Sequence, residues 1–487
     1  MKNILIATIG TRDLMFQISS GLWYNVGDDR MQDGEIIGEQ AEVISDLGFG
    51  QTSFRDLTAY LMQNLALYRD RIKPVILGKL LNEKAAQLSQ IYLIGTDQNL
   101  EVGERRRDTL YSCNLIKAWV EHQHQIPVEI VYLGQDGTNP ANFDMMFRWW
   151  QHAWRNKIVV GANQDLWLCL KGGVGQASES GRISGLSIHG DRIKFFEFQQ
   201  NVKQNQKGLP SDYSGPFLGT NYLWDRTQQQ ALRLLDRFDY AGVEELLSPY
   251  FKQDTAGFSN LPTLIKAGIV WNQGEFDSFF NWAKQALSPS EQKRGQMWWW
   301  MAYEQAQLGA VRLEQKNTAE AMLHSFRAVE GALWKWAIAR FPNSVQDVPN
   351  KFSLLLPSIL DDYPCLETRY EKWRGTYQSA QLRGEVLQEL LTAAIPQTTG
   401  QDFQSFWAKD CRDMRNALSH RLGGLSQKEV LEAWGEDINT PAQWEARILN
   451  CLNLLTGQSF KTLEKASLFR VIHMQVKSAI EAYETKA

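Results

Sequence analysis

Six short apolar runs dominate the first part of the chain: Ile4–Ile9, Pro74–Leu77, Gln90–Ile94, Val128–Leu133, Asp165–Leu170 and Arg192–Phe198. Helical patterns such as Tyr60–Arg69 and Asp108–His122 lie between them. Strands that alternate with helices make βαβ units, so the pattern requires a parallel sheet with helical crossovers. Several runs end at glycine: Gly10, Gly95, Gly134 and Gly172-Gly173. Open α/β sheets bind ligands beyond the carboxyl ends of their strands, which makes these turns the place to look for a site.

The strand signal then fades. Residues 201–220 are polar and rich in Gly and Pro, and read as a linker or surface crossing. Helical patterns follow at Asn221–Leu247, Leu261–Leu287 and Ser290–Gln315. They could form a pair of helical hairpins, and no repeat of fixed period is evident. Asn317–Phe341 is a long helix that Asn317 or Thr318 can cap and Pro342 ends. Further helices are expected at 365–394, 403–422, 426–434 and, split, 441–484. The reading is an α/β domain over 1–205, a linker and helical connector over 206–316, and an all-helical domain over 317–487.

Length and composition fit this division. At 487 residues, two or three domains are expected. A net charge of −4 carries no global nucleic-acid footprint, so RNA contact must rest on a local patch and stable DNA binding is not expected. The cysteines, Cys113, Cys169, Cys365, Cys411 and Cys451, are odd in number and widely spaced, as in free thiols of a reducing compartment. Without a signal-length or membrane-length apolar run, the expectation is a soluble, cytoplasmic protein. Eighteen tryptophans, clustered at Trp149, Trp150, Trp154 and at Trp298–Trp300, read as packing anchors of helices.

Three strand-end turns carry polar side chains. The first has Thr8, Gly10, Thr11, Arg12 and Asp13; the second Thr96, Asp97 and Gln98; the third Lys171, Gly172, Gly173, Val174 and Gln176. Glycine amides at a helix start form an anion site. The Walker spacing G-x-x-x-x-G-K-[ST] is absent, and Gly10 is followed by Thr11 and Arg12, not by a dinucleotide fingerprint. A nicotinamide cofactor is therefore not expected, and the three turns together point to a nucleotide-like ligand.

The second constellation is Arg415-Asn416-Ala417-Leu418-Ser419-His420. At 100° per residue, Phe403, Phe406, Trp407, Cys411, Met414, Leu418 and Leu422 share one apolar face of a 403–422 helix, ended by Gly423-Gly424. Arg415 lies at the edge of that face, with Asn416 and His420 opposite. Arginine holds phosphate by charge and a two-pronged hydrogen bond. Histidine moves protons near neutral pH. Arg415 and His420 stand about 140° apart on such a helix, so a second copy facing the first would complete the site.

The stretch RDMRNALSHRLGG resembles the R-x-x-x-x-H signature of HEPN-domain ribonucleases, and HSFRAVEGALWKW, with Arg327 and Glu330, resembles their first helix. The strand-end turns, with LIGTDQ followed by RRRDTLYSCNLIKAW, resemble the CARF domain, a Rossmann-like sensor. In this order the two resemble the CARF–HEPN ribonucleases of type III CRISPR systems. That resemblance implies a homodimer activated by a cyclic oligoadenylate, tetraadenylate rather than hexaadenylate, which binds the three turns. It implies metal-independent cleavage of single-stranded RNA by Arg415, Asn416 and His420, leaving a 2′,3′-cyclic phosphate. It also implies slow cleavage of the activator in the sensor pocket, with Thr8, Thr11 and Lys171 as first candidates. Arg105-Arg106-Arg107 reads as a solvated charge run that could reach phosphates. Two other readings stay open: a non-catalytic sensor controlling a helical effector, and a nucleotide-using enzyme drawing on Asp13, Asp97 or Asp136.

Overall fold

All but one of the apolar runs become strands of a single six-stranded sheet: β1 (Asn3–Thr8), β2 (Leu88–Thr96), β3 (Val128–Leu133), β4 (Leu166–Cys169) and β5 (Ile193–Gln199), with β6 (Asp212–Leu218) added at the edge. The computed structural model describes residues 2–27, 31–32, 35–348, 353–374, 380–395, 401–418, 420 and 422–485; the side chains of residues 31, 32, 35, 401, 415 and 418 also lie outside the description. Contacts divide the chain into two units, Met1–Trp224 and Asp225–Glu484. No described helix is long and apolar enough to cross a membrane.

The strands run in the order β3-β2-β1-β4-β5-β6, parallel except for β6. This is the 3-2-1-4-5-6 order of doubly wound folds, and its direction reverses between β1 and β4. Leu5, Ala7, Leu93 and Trp167 face one core, and Ile4, Ile6, Tyr92 and Leu168 the other. A sheet buried on both faces explains runs that are continuously apolar.

Helices cover both faces: α1 (Phe54–Gln63), α2 (Leu110–His124), α3 (Phe143–Asn156) and α4 (Gly175–His189). The Trp149 cluster belongs to α3 and packs as core. Trp150 donates its indole N–H to the Ala177 carbonyl (2.8 Å), and Trp154 to Ser184 Oγ (3.0 Å). A Cβ on Gly181 would lie 2.8 Å from the Trp150 ring, so the small residues of ASESGRISGLS make room for indoles. At about 25 cal/mol per Å2, burying roughly 200 Å2 of ring is worth about 5 kcal/mol before entropy.

Two expectations for this unit are corrected. Pro74–Leu77 adds no strand to the sheet; Ile72–Pro74 pairs with Leu14–Gln17 in a small antiparallel sheet. Residues 201–220 are not a free linker. Asp212–Leu218 pairs antiparallel with β5, and as an edge strand it tolerates Pro216, which offers no N–H.

The second unit is helical, apart from a three-stranded sheet of two-residue strands at 345–346, 354–355 and 380–381. Three helical hairpins open it: the pair expected between 221 and 316, and a third that joins the end of that segment to the long helix after it. Their turns place Phe238, Gly274 and Lys316 at φ 58°, 76° and 63°. Asp239, Glu275 and Asn317 follow with nearly identical backbone angles, φ −85° to −88° and ψ 70° to 74°. The third hairpin joins α5 (Trp300–Glu314) to α6 (Thr318–Arg340), where Asn317 accepts from the Glu320 N–H as its cap.

The expected 403–422 helix is two helices, α7 (Gln401–Trp407) and α8 (Lys409–Leu418). Phe403, Phe406 and Cys411 are buried, but Leu422 is 100% exposed and lies beyond the last helical residue. The two segments hold different partners. Cys411 Sγ donates to the Ala433 carbonyl. Buried Arg447 ties α7 down, reaching Asp402 at 3.1 Å, Ser405 Oγ at 2.8 Å, the Trp434 carbonyl at 2.8 Å and Asp437 at 2.7 Å. Helix α8 packs on α6.

Candidate functional site

The turn after β1 and the turn after β4 cross at the point where strand order reverses, and they touch backbone to backbone. A Cβ on Gly10 would sit 2.5 Å from the Gly173 nitrogen. One on Gly172 would sit 2.4 Å from the Thr8 carbonyl oxygen and 2.5 Å from the Gly10 nitrogen. Gly173 has φ +85°, the left-handed region that favours glycine. Asp13 folds under this crossing, where its carboxylate accepts from the Gly10 N–H. Burial pushes the Asp13 carboxyl up to about 7, against the opposing pull of the Gly10 N–H and the Lys171 charge.

Above the crossing opens a cavity of about 430 Å3. Gly10, Thr11, Arg12, Asp13, Thr96, Gln98, Lys171, Gly172, Gly173 and Val174 line it, so residues from all three turns come together. Arg12 and Lys171 are exposed at its mouth. Gly173 and Val174 lead directly into the N-terminus of the fifteen-residue helix α4. Cations, hydroxyls and a helix start around one cavity suit an anionic, hydrogen-bonding ligand.

Three expected residues stand apart from the lining. Gln176 is already within α4. Thr8 is buried, with its hydroxyl unpartnered among the described residues. Asp97 is held by Arg55 at 2.8 Å and by Gln135 at 2.9 Å, and this pairing keeps its carboxyl below the ordinary range despite burial. Arg55 also reaches Asp108 at 3.0 Å, and Asp108 accepts from the Gln98 N–H (2.6 Å) and the Gln98 amide (2.9 Å). Asp97 thus helps to shape the second turn and does not face the cavity. Thr96 and Thr109 exchange backbone and hydroxyl hydrogen bonds at 2.9 and 3.0 Å, which fixes the strand end.

The lining contains residues that the motifs did not suggest. Asn139, Pro140 and Ala141 follow β3, and Gln200 follows β5. Each lies past the carboxyl end of a strand, and that rule alone would have found them. Arg107 also lines the cavity, 3.3 Å from Glu104, whereas Arg105 turns back to the Gln98 carbonyl at 2.8 Å.

In the second unit the backbone of Arg415 and Asn416 lies in α8, and Asn416 and His420 are exposed. His420 follows the helix and donates its backbone N–H to the Ala417 carbonyl (3.1 Å). The Arg415 side chain and Ser419 lie outside the described residues. Arg327 and Glu330 of α6 line a separate cavity of about 540 Å3 with Trp334, Arg383, Leu387 and Trp407. Among the described residues no group of three or more His, Cys, Asp or Glu side chains is arranged to hold a metal.

A Rossmann-like, mostly parallel sheet followed by a helical unit therefore defines the class of fold. The whole chain is similar to a solved structure described as Enterococcus italicus Csm6 bound to cyclic hexa-2′-fluoro-hexa-dAMP, with a TM-score of 0.60, 11% identity, and coverage of 98% of this chain and 100% of that one. No family model matches the chain, and no curated protein matches it by sequence. At this identity the likeness establishes the fold.

Proposed function

We propose that this chain is a CARF–HEPN ribonuclease whose N-terminal pocket binds a cyclic oligoadenylate and whose C-terminal helices cut single-stranded RNA. The observation that carries the reading is the cavity at the β1/β4 reversal. It is built from three glycine-bearing turns, in a chain whose full-length fold matches a protein solved with a cyclic nucleotide ring. A ring of repeated nucleotides suits two copies of one pocket related by a two-fold axis, each reading half of it. Arg12, Lys171 and Arg107 would meet phosphates, and Thr11, Thr96 and Gln98 the sugar and base edges. The ligand activates if it binds the cutting arrangement of the two copies more tightly than the resting one.

For the cutting step, Arg415 holds the scissile phosphate and offsets charge as it builds. His420 moves the proton of the attacking 2′-hydroxyl or of the leaving 5′-oxygen, and Asn416 orients the phosphate or the imidazole. Attack by the 2′-oxygen leaves a 2′,3′-cyclic phosphate. The exposure of Asn416 and His420 fits a site completed by a second copy. Since Thr8 lies outside the lining, Thr11 and Lys171 become the residues to test for activator cleavage. The ring size is either the four favoured by sequence resemblance or the six held by the structural neighbour. A binding titration with both rings tests the pocket. Micromolar or tighter affinity for one ring, lost in Lys171→Ala, is expected; equal and negligible affinity for both would refute the reading.

A further inference from the structure

Two cavities of the second unit meet at Arg383 and Gly384. The first holds Trp334 and Trp407 with Arg327; the second, of about 660 Å3, holds Trp373. The result is a groove with three indoles, two guanidinium groups and a glycine at φ +48°. The Trp334 indole N–H donates to Ser353 Oγ at 3.0 Å. The Trp373 indole nitrogen is buried with no hydrogen-bond partner among the described residues. Trp407 closes α7, immediately before the helix that carries Arg415 and Asn416. Trp407 precedes Arg415 by eight residues in the chain.

We infer that this groove is a single-stranded RNA subsite, in which bases of the substrate stack on Trp407 and its neighbouring indoles beside the cutting helix. Resting on the ribonuclease reading, it names how the strand is held. Single strands are held without sequence demand by aromatic faces, because every base offers a π-surface. The charges argue the same way. Arg327 and Arg383 are matched by Glu330 and Glu385 in the groove, so stacking outweighs phosphate contact here and the salt dependence is shallow.

The test is binding of a short 2′-O-methylated single-stranded RNA, which cannot be cut, followed by anisotropy and tryptophan quenching with activator present. Trp407→Ala is expected to weaken binding roughly ten- to a hundredfold, and Trp407→Phe to restore most of it. In cleavage of ordinary RNA the same loss appears in KM, with kcat within about twofold. Unchanged RNA affinity in Trp407→Ala overturns the subsite. So does loss of the dimer in solution by light scattering, which would make the groove an interface between copies. Because the binding arm needs no cleavage, an inactive His420→Ala protein that still binds RNA through Trp407 separates failure of the cutting assignment from failure of the groove.

Discussion

Replacing Gly172 by alanine tests the construction of the N-terminal pocket with the smallest possible change. The added methyl group would lie 2.1 Å from an Asp13 carboxylate oxygen, 2.4 Å from the Thr8 carbonyl and 2.5 Å from the Gly10 nitrogen. Two of these three neighbours are backbone, so rotating a side chain cannot relieve the contact. The crossing must open, and overpacking of this kind costs about 1–3 kcal/mol. If the whole cost falls on the pocket, ligand affinity drops roughly five- to 150-fold. Gly175→Ala is the matched control: nothing lies within 4 Å of its added Cβ, and it stands at the start of α4. Calorimetric titration with the cyclic ring and thermal melting read both effects. The expected result is a large loss of affinity and a lower melting temperature for Gly172→Ala, with neither for Gly175→Ala. Equal affinity and stability in the two variants would refute the account of the crossing.

Other perturbations follow from the same contacts. Asp13 carries a folded pKa of about 7 against an ordinary 3.8, so the folded chain keeps a proton that the unfolded chain releases. Stability should therefore fall as pH rises from about 4 to 7, by at most about 4 kcal/mol. Asp13→Asn should flatten that fall in urea titrations, and an unchanged pH profile would exclude the buried acid. Arg55→Met strands the Asp97 and Asp108 carboxylates and should cost about 3–5 kcal/mol of stability in the N-terminal unit, read as a drop in melting temperature. Arg447→Ala should destabilise the helical unit by a similar amount and lower RNA cleavage without changing ring affinity, since Arg447 braces α7 by way of Asp402 and Ser405.

The sheet was legible because its runs are buried on both faces, and burial of that kind writes itself as unbroken apolar sequence. The turns were legible because a backbone crossing as close as Gly10 on Gly173 excludes every side chain. What stayed hidden depends on partners distant in the chain. Asp97 looked like a ligand contact in a strand-end turn until Arg55, forty-two residues away, was found to hold it. The strand at 212–218 looked like a linker because an edge strand accepts Gly215 and Pro216, which a central strand would reject. Helical periodicity carried the 403–422 pattern through to Leu422, but periodicity does not register that Arg447 and Ala433 hold its two halves separately. The three hairpin turns share backbone angles with no shared residue at the left-handed position, where Phe238, Gly274 and Lys316 stand, so they left no repeat to read.

In the proposed function, ring binding in the N-terminal pocket switches on cutting at Arg415 and His420. A fluorescent single-stranded RNA, incubated in EDTA with and without cyclic tetraadenylate or hexaadenylate, tests it directly on the wild-type chain and on a folded His420→Ala variant. Cleavage is expected from the wild type only when one of the rings is present, with products ending in 2′,3′-cyclic phosphate, and none above background from His420→Ala. Ring-independent cleavage, or full activity in His420→Ala, would contradict it.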